Sequence, residues 1–161
     1  MNPKRSAQDE ASMRPTGHAA EVELYLLDAN VLLALTHRQH VHHGRATAWL
    51  TKVKRWATTP LTEAALVRLL MNQTVVGVSL NAATALDVLA SLRAGAGWQF
   101  LPDDSSLADP RIDLTGLMGH RQVTDLHLVN LAASHGAVLA TFDSRLRSAL
   151  GLDGADLIHL V

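Results

Sequence analysis

Four carboxylates, Asp28, Glu63, Asp125 and Asp143, stand where apolar runs give way to helical patterns. Their texts are Leu26-Leu27-Asp28-Ala29-Asn30, Leu61-Thr62-Glu63-Ala64-Ala65, Val123-Thr124-Asp125-Leu126 and Ala140-Thr141-Phe142-Asp143. If the apolar runs are parallel strands, their carboxyl ends lie along one sheet edge, where open α/β folds place their ligands. Helical spacing strengthens the pattern, because residues three, four and seven apart share a face. From Glu63 that face carries Leu66, Val67 and Leu70; from Asp125, Leu128, Val129 and Ala132; from Asp143, Leu146 and Leu150. Each of these acids therefore heads an apolar stripe, and Asp28 directly continues an apolar run. Carboxylates converging at a half-buried edge repel one another unless a cation compensates them. Oxygen-only ligands select a hard ion, Mg²⁺ or Mn²⁺. Such an ion can activate water and, alone or with a second about 4 Å away, stabilise the charge of a phosphodiester undergoing hydrolysis.

A simpler role competes at each position. Aspartate commonly caps a helix N-terminus, which accounts for Asp28, Asp125 or Asp143 taken singly. Glu63 is harder to explain that way. It is the only glutamate after residue 23, and Thr62 beside it already supplies a cap.

The elements that must position these acids alternate along the chain. Strands are expected at Val22 to Leu27, Arg55 to Thr59, Trp98 to Leu101, Ala137 to Thr141 and Leu157 to Val161. Helices are expected over Val31 to Leu35, His43 to Val53, from the Thr62 cap to about Met71, Asn81 to Leu92, Thr124 to Ser134 and Ser144 to Leu150. Pro60 ends the second strand, and Pro102 to Gln122, rich in Asp, Ser, Gly and Pro, reads as a long irregular segment. This alternation predicts a three-layer α/β/α domain with a mainly parallel five-stranded sheet over residues 21–161. Met1 to Ala20 has no periodic apolar signal and reads as a disordered tail without a secretion signal.

Composition sets outer bounds. With 161 residues, 48% of them hydrophobic, the chain can bury a core without staples. Cysteine is absent, which excludes thiolate metal sites and fits a reducing, cytoplasmic setting. No window has the length and apolarity of a membrane span. A net charge of -1 demands no polyanionic partner. Beyond residue 20, however, setting the four acids aside leaves slightly more basic than acidic residues, which permits nucleic-acid binding.

The segments Leu27-Asp28-Ala29-Asn30-Val31-Leu32, Gly119-His120-Arg121-Gln122-Val123-Thr124-Asp125 and Ala140-Thr141-Phe142-Asp143 resemble the PIN-domain ribonucleases, and more closely the VapC toxins of bacterial VapBC pairs. The likeness covers roughly Leu24 to Val161 and preserves the family's order of acids. It implies a Mg²⁺-dependent endoribonuclease that leaves a 5′-phosphate, acts as a homodimer and is silenced by a VapB-type antitoxin whose tail enters the active-site groove. Carried over, Asp28 and Asp125 are the principal metal ligands, and Glu63 and Asp143 complete the pocket directly or through water. Asn30, Thr124 and Thr141 orient the carboxylates. The faces of the helices at Ala46 to Val53 and Asn81 to Leu92 offer a surface for pairing two copies.

Other signals carry less. His37, His40, His42 and His43 invite a zinc reading, but no cysteine or carboxylate accompanies them, so a solvated connection is expected, with RNA phosphate contact as the functional alternative. Arg121 and Gln122 could meet a phosphate. Lys52, Lys54 and Arg55 with Trp49 and Trp56 could form a stacking surface, although the stripe holding Trp49 reads as core. His127 follows Asp125 by two positions and so faces away from it. Two rival functions stand beside RNA cleavage: another metal-dependent α/β phosphohydrolase and a non-catalytic PIN-like RNA-binding module. Dehalogenase-like phosphohydrolases place a second aspartate two residues after the first, where this chain has Asn30.

Overall fold

Five short strands form one sheet in the order β3-β2-β1-β4-β5, and every neighbouring pair is parallel. The computed structural model describes residues 24–150 and 154–161; the expected N-terminal tail and the first residues of the expected first strand lie outside them. The strands are β1 (Tyr25–Leu27), β2 (Trp56–Thr58), β3 (Trp98–Phe100), β4 (Val138–Thr141) and β5 (Ile158–Leu160). The helices are α1 (Ala29–Thr36), α2 (His43–Leu50), α3 (Pro60–Leu70), α4 (Gln73–Val76), α5 (Ala82–Arg93), α6 (Val123–Ser134) and α7 (Ser144–Ala149).

Parallel neighbours require long return connections, and here helices supply most of them. The buried side chains fall into two clusters on opposite sheet faces, because successive strand residues point opposite ways. Leu26 packs with Leu128, Val129 and Ala132 of α6 and with Leu146 of α7. Leu27 packs with Val31 and Leu32 of α1, Leu66 and Leu70 of α3, and Ala85 of α5. The three-layer expectation is met, and the sheet is parallel throughout.

Local chemistry moved some boundaries. Pro60 does not merely end β2; it opens α3, where its missing N–H costs nothing. Thr59, not Thr62, is therefore the N-cap residue, and Thr62 Oγ1 accepts from the Thr59 N–H at 3.1 Å. Asn81 caps α5 as its side chain accepts from the Thr84 N–H. The segment before α6 holds only an isolated bridge between Ser106 and Asp109 and a 3₁₀ turn at His120–Gln122. Gly97 enters β3 with φ 76°, and a Cβ there would stand 2.1 Å from the Lys54 carbonyl oxygen. Only glycine lets β3 come this close to the chain entering β2.

Candidate active site

Strand order reverses between β1 and β4, the one place where chains leave the sheet edge in opposite directions. Leu27 lies opposite Ala140, so the next residues, Asp28 and Thr141, emerge side by side. The Asp28 N–H donates to the Ala140 carbonyl at 3.0 Å, and the Thr141 hydroxyl donates to Asp28 Oδ2 at 2.8 Å. The same Thr141 oxygen accepts from the Asp143 N–H at 3.2 Å. One buried hydroxyl thus joins two of the acids across the junction.

Asp28 and Asp143 are the N-cap residues of α1 and α7, and Asp125 lies in the first turn of α6. Burial pushes the Asp28 carboxyl pKa up. The Thr141 hydroxyl and the nearby amides of Asn30 and Ala29 oppose that rise, without a capping hydrogen bond of good geometry, and the charge of Asp143 adds to it. Burial also raises Asp125, followed by the charges of Asp28 and then Asp143. The Asp125 side chain makes no hydrogen bond to any described residue. Asp143 differs: burial works to raise it, but the Arg145 amide, at 2.9 Å, and guanidinium, at 3.3 Å, outweigh this and hold it down.

Glu63 stands apart from this trio. It is buried in the first turn of α3, where Oε1 accepts from the Thr58 hydroxyl at 2.6 Å and Oε2 pairs with Arg93 at 3.6 Å. Arg93 in turn lies over the rings of Trp98, 4.5 Å from its centroid, and Phe100, at 5.4 Å. Trp98 Nε1 donates to Thr58 Oγ1 at 2.9 Å, which closes a ring of contacts linking β2, β3, α3 and α5. The charges acting on Asp28 and Asp125 come from the other aspartates, not from Glu63.

Of the expected orienting residues, Thr141 bonds directly to an acid. Asn30 and Thr124 are exposed and make no side-chain hydrogen bond to a described residue. His127 turns away from Asp125, as its position in the helix predicts, and pairs with Asp103 at 2.7 Å. Gln122 accepts from the Met118 N–H at 2.9 Å, and Arg121 is exposed. Trp49 packs edge-on to Tyr25 and stacks on His159, while Trp56 is buried and donates to the Ala96 carbonyl, so both tryptophans serve the core.

The histidine stretch is the expected connection, open to solvent at Arg38, Gln39 and Val41, but its rings have partners. His40 and His42 pack on Phe142, between Thr141 and Asp143, and His43 Nδ1 lies 2.7 Å from the Ala34 carbonyl oxygen. Phe142 is the residue that pattern reading passed over. Its only sequence signal is its place between two polar residues of the site.

The donor set suits a hard divalent ion. Among the described residues no three His, Asp or Glu side chains converge closely enough to hold one ion together, which excludes a closed zinc-type site there. Mg²⁺ makes a smaller demand: it keeps several waters and takes one or two carboxylates plus substrate phosphate oxygens. Asp28 and Asp125, their pKa values raised by burial and repulsion, with the Asp125 side chain lacking a hydrogen-bond partner among the described residues, match that demand.

The PIN domain family matches residues 25–151. Ribonuclease VapC39 of Mycobacterium tuberculosis is 46% identical over 124 residues, covering 75% of this chain and 89% of the relative. The chain is a member of the VapC family of PIN-domain ribonucleases. Ribonuclease VapC38 of the same organism is also 46% identical, over 121 residues, 74% of this chain and 84% of that protein. In three dimensions the chain resembles the VapBC2 crystal structure from Rickettsia felis, solved with a DNA fragment from its promoter. The TM-score is 0.60 at 13% identity, covering 86% of this chain and 98% of that one. That structural likeness extends the shared α/β/α fold beyond the range where sequences still agree.

Proposed function

We propose that this VapC-family chain is the toxin of a type II toxin-antitoxin pair, an endoribonuclease in which Asp28 and Asp125 would principally hold Mg²⁺, with Mn²⁺ as a substitute, and Asp143 and Glu63 would complete the pocket directly or through water. The observation that carries the reading is Asp125: a half-buried carboxylate without a side-chain hydrogen bond to any described residue, its pKa pushed up by burial and by the charges of Asp28 and Asp143. No stabilising role of its own accounts for such a group. When bound, the ion supplies an activated water and stabilises the developing phosphoryl charge. The protein's part is to aim the carboxylates. Thr141 fixes Asp28 and, through its oxygen, the Asp143 backbone, and Arg145 holds Asp143 ionised. Asn30 and Thr124, exposed beside the acids, adjust them once substrate arrives. Glu63 contributes from the rim, coming into play if Arg93 releases it.

The relatives' names supply RNA as substrate and VapB as partner, and both are proposed for this chain, together with action in the cytoplasm. No helix among the described residues is long and apolar enough to cross a membrane. Homodimerisation is supported by an apolar groove between α3 and α5, lined by Pro60, Ala64, Val67, Met71, Leu86 and Leu89, with Leu86 54% exposed. Sedimentation of the pure chain tests this; a strict monomer with and without antitoxin refutes it. For the chemistry, purified protein should cut RNA with Mg²⁺ or Mn²⁺ and stop with chelator. Undiminished cleavage by folded Asp28→Ala and Asp125→Ala variants would sink the assignment.

A further inference from the structure

Phe142 is tied to the aspartates by the backbone: Thr141 precedes it, Asp143 follows it, and the Asp143 amide is pinned to Thr141 Oγ1. Its half-buried ring meets His42 at 4.5 Å between centroids, tilted by 33°, and His40 at 6.4 Å, nearly parallel at 24°. The two imidazoles lie 5.7 Å apart. The guanidinium carbon of Arg45, an exposed residue, stands 5.7 Å from the same phenyl centroid.

The loop between α1 and α2 is folded to hold these rings in place. The His42 N–H donates to His40 Nδ1 at 3.2 Å, and successive turns run from the His40 N–H to the His37 carbonyl and from the His43 N–H to the His40 carbonyl. Val41, at the tip, is 86% exposed, so the loop is not drawn down by apolar burial there. Burial, and then the neighbouring His42, His37 and His43, lower the His40 pKa. What results is an aromatic surface with the exposed Arg45 guanidinium at its edge, next to Asp143 in the chain.

We propose that His40, His42 and Phe142, with Arg45 beside them, are a nucleotide platform that seats one base of single-stranded RNA and its phosphate next to the aspartates. The proposal rests on the RNA-cleavage reading above. A nucleotide is the ligand that needs both halves of this surface, because every base has a π-face to stack and every linkage carries one negative charge. A peptide partner would use the cation or the rings without requiring their pairing.

The test uses the full chain carrying Asp125→Asn, in Mg²⁺, with a fluorescein-labelled ten-nucleotide RNA of mixed sequence read by anisotropy. Adding His42→Ala should weaken binding roughly tenfold, within the range of one lost base stack. His42→Phe, which still stacks, should restore it. Arg45→Gln should flatten the dependence of log affinity on log salt by about 0.7, the share of one single-strand phosphate. An RNA with one abasic position at the platform should bind the parent as weakly as the His42→Ala protein binds intact RNA. Arg45 is exposed, so its variant keeps the test decisive even where His42→Ala disturbs the fold. If both variants match the parent within about twofold at every salt, the platform is overturned as an RNA site and the surface is left to a protein partner. Should the unmodified chain bind RNA through His42 yet never cut it, the cleavage reading fails while the platform stands. Cleavage by the unmodified chain with unchanged binding in both variants defeats the platform alone.

Discussion

Asp125 and Glu63 occupy the same local position, the first turn of a long helix heading a buried stripe, yet they live in opposite surroundings. Glu63 is fully engaged, with a 2.6 Å hydroxyl donor on one oxygen and Arg93 on the other. Asp125 feels the charges of two aspartates and has no hydrogen-bond donor among the described residues. The first is an acid whose charge neighbouring groups satisfy; the second is the acid proposed above to hold a metal ion. A carboxylate's type and helical position do not distinguish a brace from a ligand. Its neighbours do.

The largest effect should come from the unsatisfied side. Asp28→Asn and Asp125→Asn are each expected to cut metal-dependent RNA cleavage to below about one hundredth, beyond the roughly 10–100-fold expected for loss of an orienting group. Thr141→Val, which removes only the hydroxyl bonded to Asp28, should fall inside that 10–100-fold range, with weakened Mn²⁺ binding by calorimetry. Equal losses at all three would erase the ranking between ligand and support.

Stability should invert the comparison. Glu63→Ala strands the Thr58 hydroxyl and Arg93 and should lower unfolding free energy by about 1–3 kcal/mol in urea, while weakening Mn²⁺ binding far less than Asp125→Asn does. Asp125→Asn should instead stabilise the metal-free protein at neutral pH. If Glu63→Ala abolishes Mn²⁺ binding while the protein stays folded, the two acids belong to one set after all.

The smallest effect concerns pH. Asp28 and Asp125 have folded pKa values raised above the unfolded ones, so the metal-free fold binds more protons than the unfolded chain in that interval. Their penalty is absent below the ordinary aspartate range and grows as pH rises through the folded pKa values. Asp143 has the reverse sign: its stabilisation is present above the ordinary aspartate pKa and is lost as pH falls through its lowered one. Denaturation in chelator, as pH rises from the ordinary aspartate range, should therefore show a component of declining stability that the Asp28→Asn, Asp125→Asn double variant lacks.

Much of the fold was readable from apolar runs and periodicity, since strands buried on both faces and amphipathic helices leave distinct patterns. The α3 start was misplaced because two threonines three residues apart both suit a cap, and the choice between them was made by Pro60 at the first helical position. The His37–His43 stretch is a solvated connection as expected, but its packing on Phe142, about a hundred residues away, has no local signal. Glu63 drew attention as the lone late glutamate, but its partner Arg93 sits on a different helix that no spacing rule connects to it.

Sequence alone was enough to place four acids at element junctions, to head three buried stripes with them, and to exclude thiolate metal chemistry, because these depend on residue type and local period. Which acids meet was settled only in three dimensions. The order β3-β2-β1-β4-β5 sets β1 against β4, so Asp28 lies beside Thr141 and within reach of the charges of Asp143 and Asp125, while β2 carries Glu63 to Arg93. Pairing strands more than a hundred residues apart is a property of the packed sheet, and no local pattern encodes it.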